Sequence, residues 1–154
     1  SLAAGLNWKG IDFSILLQGA ARSSIYLQQD IAWDNFWGNY YEEHIGRWTP
    51  ETAATATYPR FTKAATAAHP NYYKSDYWLK DSKYLRLKNI QLGYTIPRKL
   101  LKKFGVRSLR VYANAYNLFT WDNVKKVDPE SSNNSNGQFY PQQKVINFGI
   151  NLNF

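Results

Sequence analysis

The last ten residues, 145–154, read V-I-N-F-G-I-N-L-N-F. Ile146, Phe148, Ile150, Leu152 and Phe154 alternate with Asn147, Gly149, Asn151 and Asn153. A strand sends successive side chains to opposite faces, so this segment has one apolar face and one amide-lined face. A helix would scatter the same residues around its circumference. Such a segment is about as long as a tilted strand that crosses a bilayer. The edge strand of a soluble sandwich alternates in the same way. This strand alone therefore leaves both architectures open.

The same rhythm recurs upstream. Strands are expected at about 1–9, 10–21, 82–96, 107–121 and 142–154. In the first, Leu2, Ala4, Leu6 and Trp8 share a face; in the second, Ile11, Phe13, Ile15 and Leu17 do. Lys9-Gly10 between them reads as a tight hairpin turn. In the third, Leu85 and Leu87 have one parity, while Ile90, Leu92, Tyr94 and Ile96 have the other. One extra residue near Lys88-Asn89 reconciles them, which predicts a β-bulge. Pro97 opens a short helical turn over 97–105 that Gly105 ends. In the fourth strand, Leu109, Val111, Ala113, Ala115, Phe119 and Trp121 share the apolar face. Arg110, Tyr112, Asn114 and Tyr116 share the polar one. Residues 22–80 keep neither period, and a short helix is expected somewhere within 24–41. A compact soluble domain rarely carries so long a connection without a function for it. Residues 122–139 form a second polar loop, with turn signals at Asp128-Pro129 and Asn136-Gly137.

The composition narrows the functional classes. The 154 residues include no Cys and no Met. That excludes a disulfide framework and thiolate metal sites. No stretch approaches 18 apolar residues, so no transmembrane helix is present. The net charge is +8, with Arg98, Lys99, Lys102, Lys103, Arg107 and Arg110 crowded together. No nucleic-acid recognition motif accompanies them, and cations in the last turn of a short helix suit its dipole. His44 and His69, the two histidines, stand 25 positions apart and make no recognisable metal site. Glu42 and Glu43 are adjacent and point apart, so they are a poor pair for acid and base work. No nucleophile elbow or phosphate loop occurs. An enzyme is not expected, and neither is a cofactor.

Connection lengths give a topology. They run short, long, short, long, as the periplasmic turns and extracellular loops of outer-membrane barrels do. Five strands are too few to close a spanning barrel, and an open edge in lipid leaves backbone groups unpaired. Upstream strands are therefore expected. The arrangement places loops 22–80 and 122–139 outside and turn 97–105 in the periplasm.

Four blocks then resemble a known family. The first is Arg47-Trp48-Thr49-Pro50-Glu51 with Tyr58-Pro59-Arg60. The second is Asp76-Tyr77-Trp78-Leu79 followed by Tyr84-Leu85-Arg86-Leu87-Lys88-Asn89-Ile90-Gln91-Leu92-Gly93-Tyr94-Thr95-Ile96-Pro97. The third is Leu109-Arg110-Val111-Tyr112 running into Asn117-Leu118-Phe119-Thr120-Trp121. The fourth is Asp128-Pro129-Glu130 with Tyr140-Pro141-Gln142. In this order they resemble the carboxy-terminal part of a SusC/RagA-type TonB-linked outer-membrane transporter of Bacteroidetes. The resemblance implies an all-β fold: antiparallel amphipathic strands, here the final five of a barrel of about 22 strands. It implies a plug domain that this sequence lacks. It implies a SusD-like surface lipoprotein, the TonB–ExbB–ExbD complex and outer-membrane lipid as partners. Substrates would be oligosaccharides, or peptides as in some members. Phe154 would serve as the barrel-assembly signal.

Binding is the expected activity, and 17% of the chain is aromatic. Trp33, Trp37, Tyr40, Tyr41 and Trp48 are candidates for ligand or lid contact, because flat rings stack on sugars and favour interfaces. The same rings could instead pack the loop against itself. Arg110, Tyr112, Asn114 and Tyr116 are candidates for lining the lumen. The alternative to the transporter is a soluble, aromatic-rich β-sandwich that binds carbohydrate.

Overall fold

The computed structural model describes residues 1–28, 32–34, 40–63, 69–124, 127–131 and 140–154. The chain divides into two compact units. One holds residues 1–21, 83–123 and 142–154; the other holds 22–82 and 124–141.

The first unit is a five-stranded antiparallel sheet built from β1 (Leu2–Trp8), β2 (Ile11–Ala20), β5 (Tyr84–Thr95), β6 (Ser108–Asp122) and β7 (Val145–Asn153). The strands lie in chain order, a plain meander. β1 and β2 join through Lys9 (φ 48°) and Gly10 (φ 88°). Two positive φ angles define the hairpin turn whose twist matches that of its strands. A side chain at Gly10 would also meet the Thr95 carbonyl. β5 and β6 join through α1 (Arg98–Leu101) and a 3-10 turn, Lys102–Phe104. Gly105, at φ 69°, stops that segment.

The expected irregularity in β5 is present. Its pairing slips on both sides between Leu87 and Asn89, leaving Lys88 without a partner position. β6 answers with Asn117 at φ 50°. The extra residue at Lys88 turns the parity of β5 over without breaking the sheet, while Ala115, Phe119 and Trp121 of β6 keep to the apolar face.

The second unit is organised around rings. Ile25, Leu27, Ala32, Trp33, Tyr58, Tyr72, Trp78 and Val124 form its core, with Tyr26, Phe61 and Val127 against them. A small ribbon pairs β3 (Ser24–Tyr26) with β4 (Leu79–Asp81). Among the described residues, the 3-10 turns Glu42–Gly46, Pro70–Tyr72 and Asp76–Trp78 carry the chain between core residues. Of the stretch 24–41, where a short helix is expected, Ser24–Tyr26 is a strand held by its pairing to Leu79–Asp81, and residues 29–31 and 35–39 lie outside the described residues.

Candidate functional site

The sheet presents two unlike faces. Leu6, Leu92, Tyr94, Val111, Phe148 and Ile150 stand exposed on one. In water that area would cost about 25 cal/mol for each Å² left wet, so a wholly soluble sheet would cover it.

The other face is polar and cross-linked. Asp12, Gly93, Tyr112 and Gly149 lie in one row across β2, β5, β6 and β7. Arg110 reaches along its strand and over Gly93 to Asp12, with Nε 2.9 Å from Oδ1. Its guanidinium also lies 4.8 Å from the centre of the Tyr112 ring. The Tyr112 ring in turn covers Gly149 and fills the place where a side chain would stand. One row on, the Asn147 amide donates to the Asn114 side-chain carbonyl at 3.0 Å. Arg110, Tyr112 and Asn114 therefore belong to one connected polar surface. Tyr116 stands more exposed, opposite Val145. The Asp12 partner was not singled out in the sequence, where nothing local links positions 12 and 110.

The second unit separates the candidate rings. Trp33 is 3% exposed and packs on Tyr72 with centroids 4.7 Å apart. It is a core residue, so its ring is committed to the unit itself and offers no face to a ligand. Trp37 lies outside the described residues. Tyr40 is exposed and leans on Phe61. Tyr41 is half-buried against His44. Trp48 is 39% exposed. Tyr73 and Tyr77, which the sequence reading passed over, are also exposed.

Below this surface lies a buried carboxylate. Asp34 is 1% exposed. The Tyr58 and Tyr72 hydroxyls both donate to its Oδ1, and the Thr62 backbone N–H donates to Oδ2 at 3.0 Å. The Tyr58 hydroxyl shares its one proton between Asp34 Oδ1 and the nearer Ala32 carbonyl, and accepts from the Asp34 backbone N–H. Burial raises both phenol pKa values, and the neighbouring carboxylate adds to the rise. His44 completes the network. Its Nδ1 accepts from the Tyr41 backbone N–H at 3.0 Å, so its Nε2 carries the proton and donates to the Ala32 carbonyl. Among the described residues no group of His, Cys, Asp and Glu is arranged to hold a metal ion.

An antiparallel meander with one apolar and one polar face, and two-residue and helical turns at one end, is the wall of a membrane β-barrel. Comparison with known proteins agrees. The chain is 30% identical over 166 aligned residues to a TonB-dependent receptor of Formosa agariphila, covering 97% of this chain and 16% of that one. It is 26% identical to the TonB-dependent receptor SusC of Bacteroides thetaiotaomicron, covering 99% of this chain and 15% of that one. The RagAB peptide importer in its open-open state has the same fold over 99% of this chain and 16% of its own, with TM-score 0.76 and 24% identity. No family model matches. The likeness to SusC/RagA-type TonB-linked transporters read from the sequence is borne out. The chain spans about a sixth of the length of the relatives it matches.

Proposed function

We propose that these strands are the last five of the barrel wall of a TonB-dependent outer-membrane transporter. In this reading the protein imports oligosaccharides and works with a SusD-like surface lipoprotein. The apolar face meets lipid, and Arg110, Tyr112, Asn114 and Tyr116 line the lumen. The second unit and its aromatic surface lie outside the cell, with Tyr40, Tyr41 and Trp48 toward ligand or lid. TonB, ExbB and ExbD act through the plug domain, which lies outside this sequence. Phe154 serves barrel assembly.

The observation that carries the reading is the pairing of the two faces. An apolar band continuous over five strands backs directly onto an ion-paired, amide-lined surface. That is what a wall between lipid and a wet lumen requires. A soluble sandwich would bury the apolar face. A peptide importer is the second reading, favoured by the fold shared with a protein described as one.

The test is uptake by cells of the source organism. Deleting the full-length gene should abolish uptake of labelled oligosaccharide, and restoring the gene should recover it. Loss of peptide uptake with oligosaccharide uptake intact would move the assignment to the second reading.

A further inference from the structure

The connection between β5 and β6 has more charge than its structure uses. Residues 96–107 hold Arg98, Lys99, Lys102, Lys103 and Arg107, with no Asp or Glu. The helix beneath them has only four residues, too few for its dipole to account for five cations. All five are exposed. Between them Leu100 is 65% exposed and Phe104 is 76% exposed, while Leu101 is buried and anchors the turn.

The surroundings repeat the pattern. The Lys9-Gly10 turn sits at the same end of the sheet, since the Thr95 N–H donates to the Gly10 carbonyl at 2.7 Å. Lys9 places its ammonium 4.8 Å from the Trp8 ring centre, and Trp8 is itself exposed. The Arg107 N–H donates to the Asn153 carbonyl, which brings exposed Phe154 to this end as well. Tyr94 closes the row from β5. One end of the sheet thus carries rings at the border of the apolar face and cations just beyond it.

Water alone explains the cations but not Leu100 and Phe104, which a solvated turn would replace with polar residues. An acidic protein surface would explain the cations but not the ring belt that continues into the apolar face. A leaflet explains both. Aromatic rings settle at the level of the head groups, and basic side chains just outside gain from anionic ones.

We infer that the 98–107 turn is a docking surface for anionic phospholipid head groups of the leaflet at the short-turn end of the sheet. Leu100 and Phe104 insert among the lipids, and Lys99, Lys102 and Lys103 meet the phosphates. The inference rests on the barrel reading of the sheet.

The test uses the full-length protein carrying Leu100→Cys, labelled with an environment-sensitive dye and reconstituted in vesicles. Folding is checked first by the shift in gel mobility on heating. The dye should report an apolar surrounding in vesicles containing phosphatidylglycerol and a wetter one in phosphatidylcholine alone. Combining Lys99→Gln, Lys102→Gln and Lys103→Gln should weaken the preference for the anionic lipid by roughly tenfold or more. High salt should act in the same direction. An identical dye spectrum in both lipids would overturn the inference. So would a response to lipopolysaccharide phosphate with none to phosphatidylglycerol. Failure to insert, with no heat shift, would instead count against the barrel reading itself.

Discussion

Arg110 and Asp12 meet across the vacant side-chain position of Gly93. The two residues stand on β6 and β2, with β5 between them, and a methyl group at 93 would lie 2.5 Å from both Arg110 Nη2 and Asp12 Oδ1. The glycine is there to let the pair close. Gly93→Ala should push the guanidinium off the carboxylate and lower the temperature at which the folded full-length protein loses its heat-shifted band. Arg110→Gln should lower it as well. The double variant should add little to either single change, since both remove one contact.

Tyr112 and Gly149 make the companion contact. The ring shields the bare backbone of β7, as aromatic residues do for glycines in sheets. Tyr112→Ala should cost about 1 kcal/mol or less. Gly149→Val should be worse, because the added side chain and the ring claim the same space. Equilibrium unfolding in urea with the full-length protein checks the order.

Trp33 and Trp48 should part company under mutation. Trp33→Ala opens the core of the loop unit and should cost about 3–5 kcal/mol. Its effect should appear as faster proteolysis of the loop with or without ligand. Trp48→Ala and Tyr40→Ala should leave proteolysis unchanged and weaken binding of oligosaccharide or lid protein. Unchanged binding in both would remove these rings from the proposed contact surface.

The buried Asp34 cluster gives a pH prediction. Tyr58 and Tyr72 have phenol pKa values raised by burial and by Asp34. A raised folded-state pKa means that the fold holds the proton more tightly than the unfolded chain does. This contribution is fully present below about pH 10, the unfolded value, and is lost as pH rises toward the folded one. The loop unit should therefore loosen in strong base. Tyr72→Phe should remove part of that base sensitivity. It should also cost about 1–3 kcal/mol at neutral pH, because the carboxylate loses a donor. Hydrogen exchange of loop amides against pH measures both.

The sheet was legible in the sequence because its signal is local. Alternation in 145–154, Lys9-Gly10 and the parity break at Lys88 each specify geometry within a few residues. The loop unit was not legible, because its core joins Ile25, Tyr58, Tyr72, Trp78 and Val124 across a hundred positions. No period marks such residues, and Trp33 looked like Trp48 until burial separated them. The Asp12–Arg110 pair was hidden for the same reason. Only the register of three strands brings positions 98 residues apart into contact.

The most direct test of the barrel-wall account is single-cysteine labelling at two adjacent positions of β7 in the full-length protein, in intact outer membranes. Phe148→Cys should react with a lipid-soluble maleimide and resist a water-soluble one. Asn147→Cys should show the reverse, and boiling should make both react with the water-soluble reagent. Equal reactivity of the two positions toward the water-soluble reagent before boiling would contradict the account.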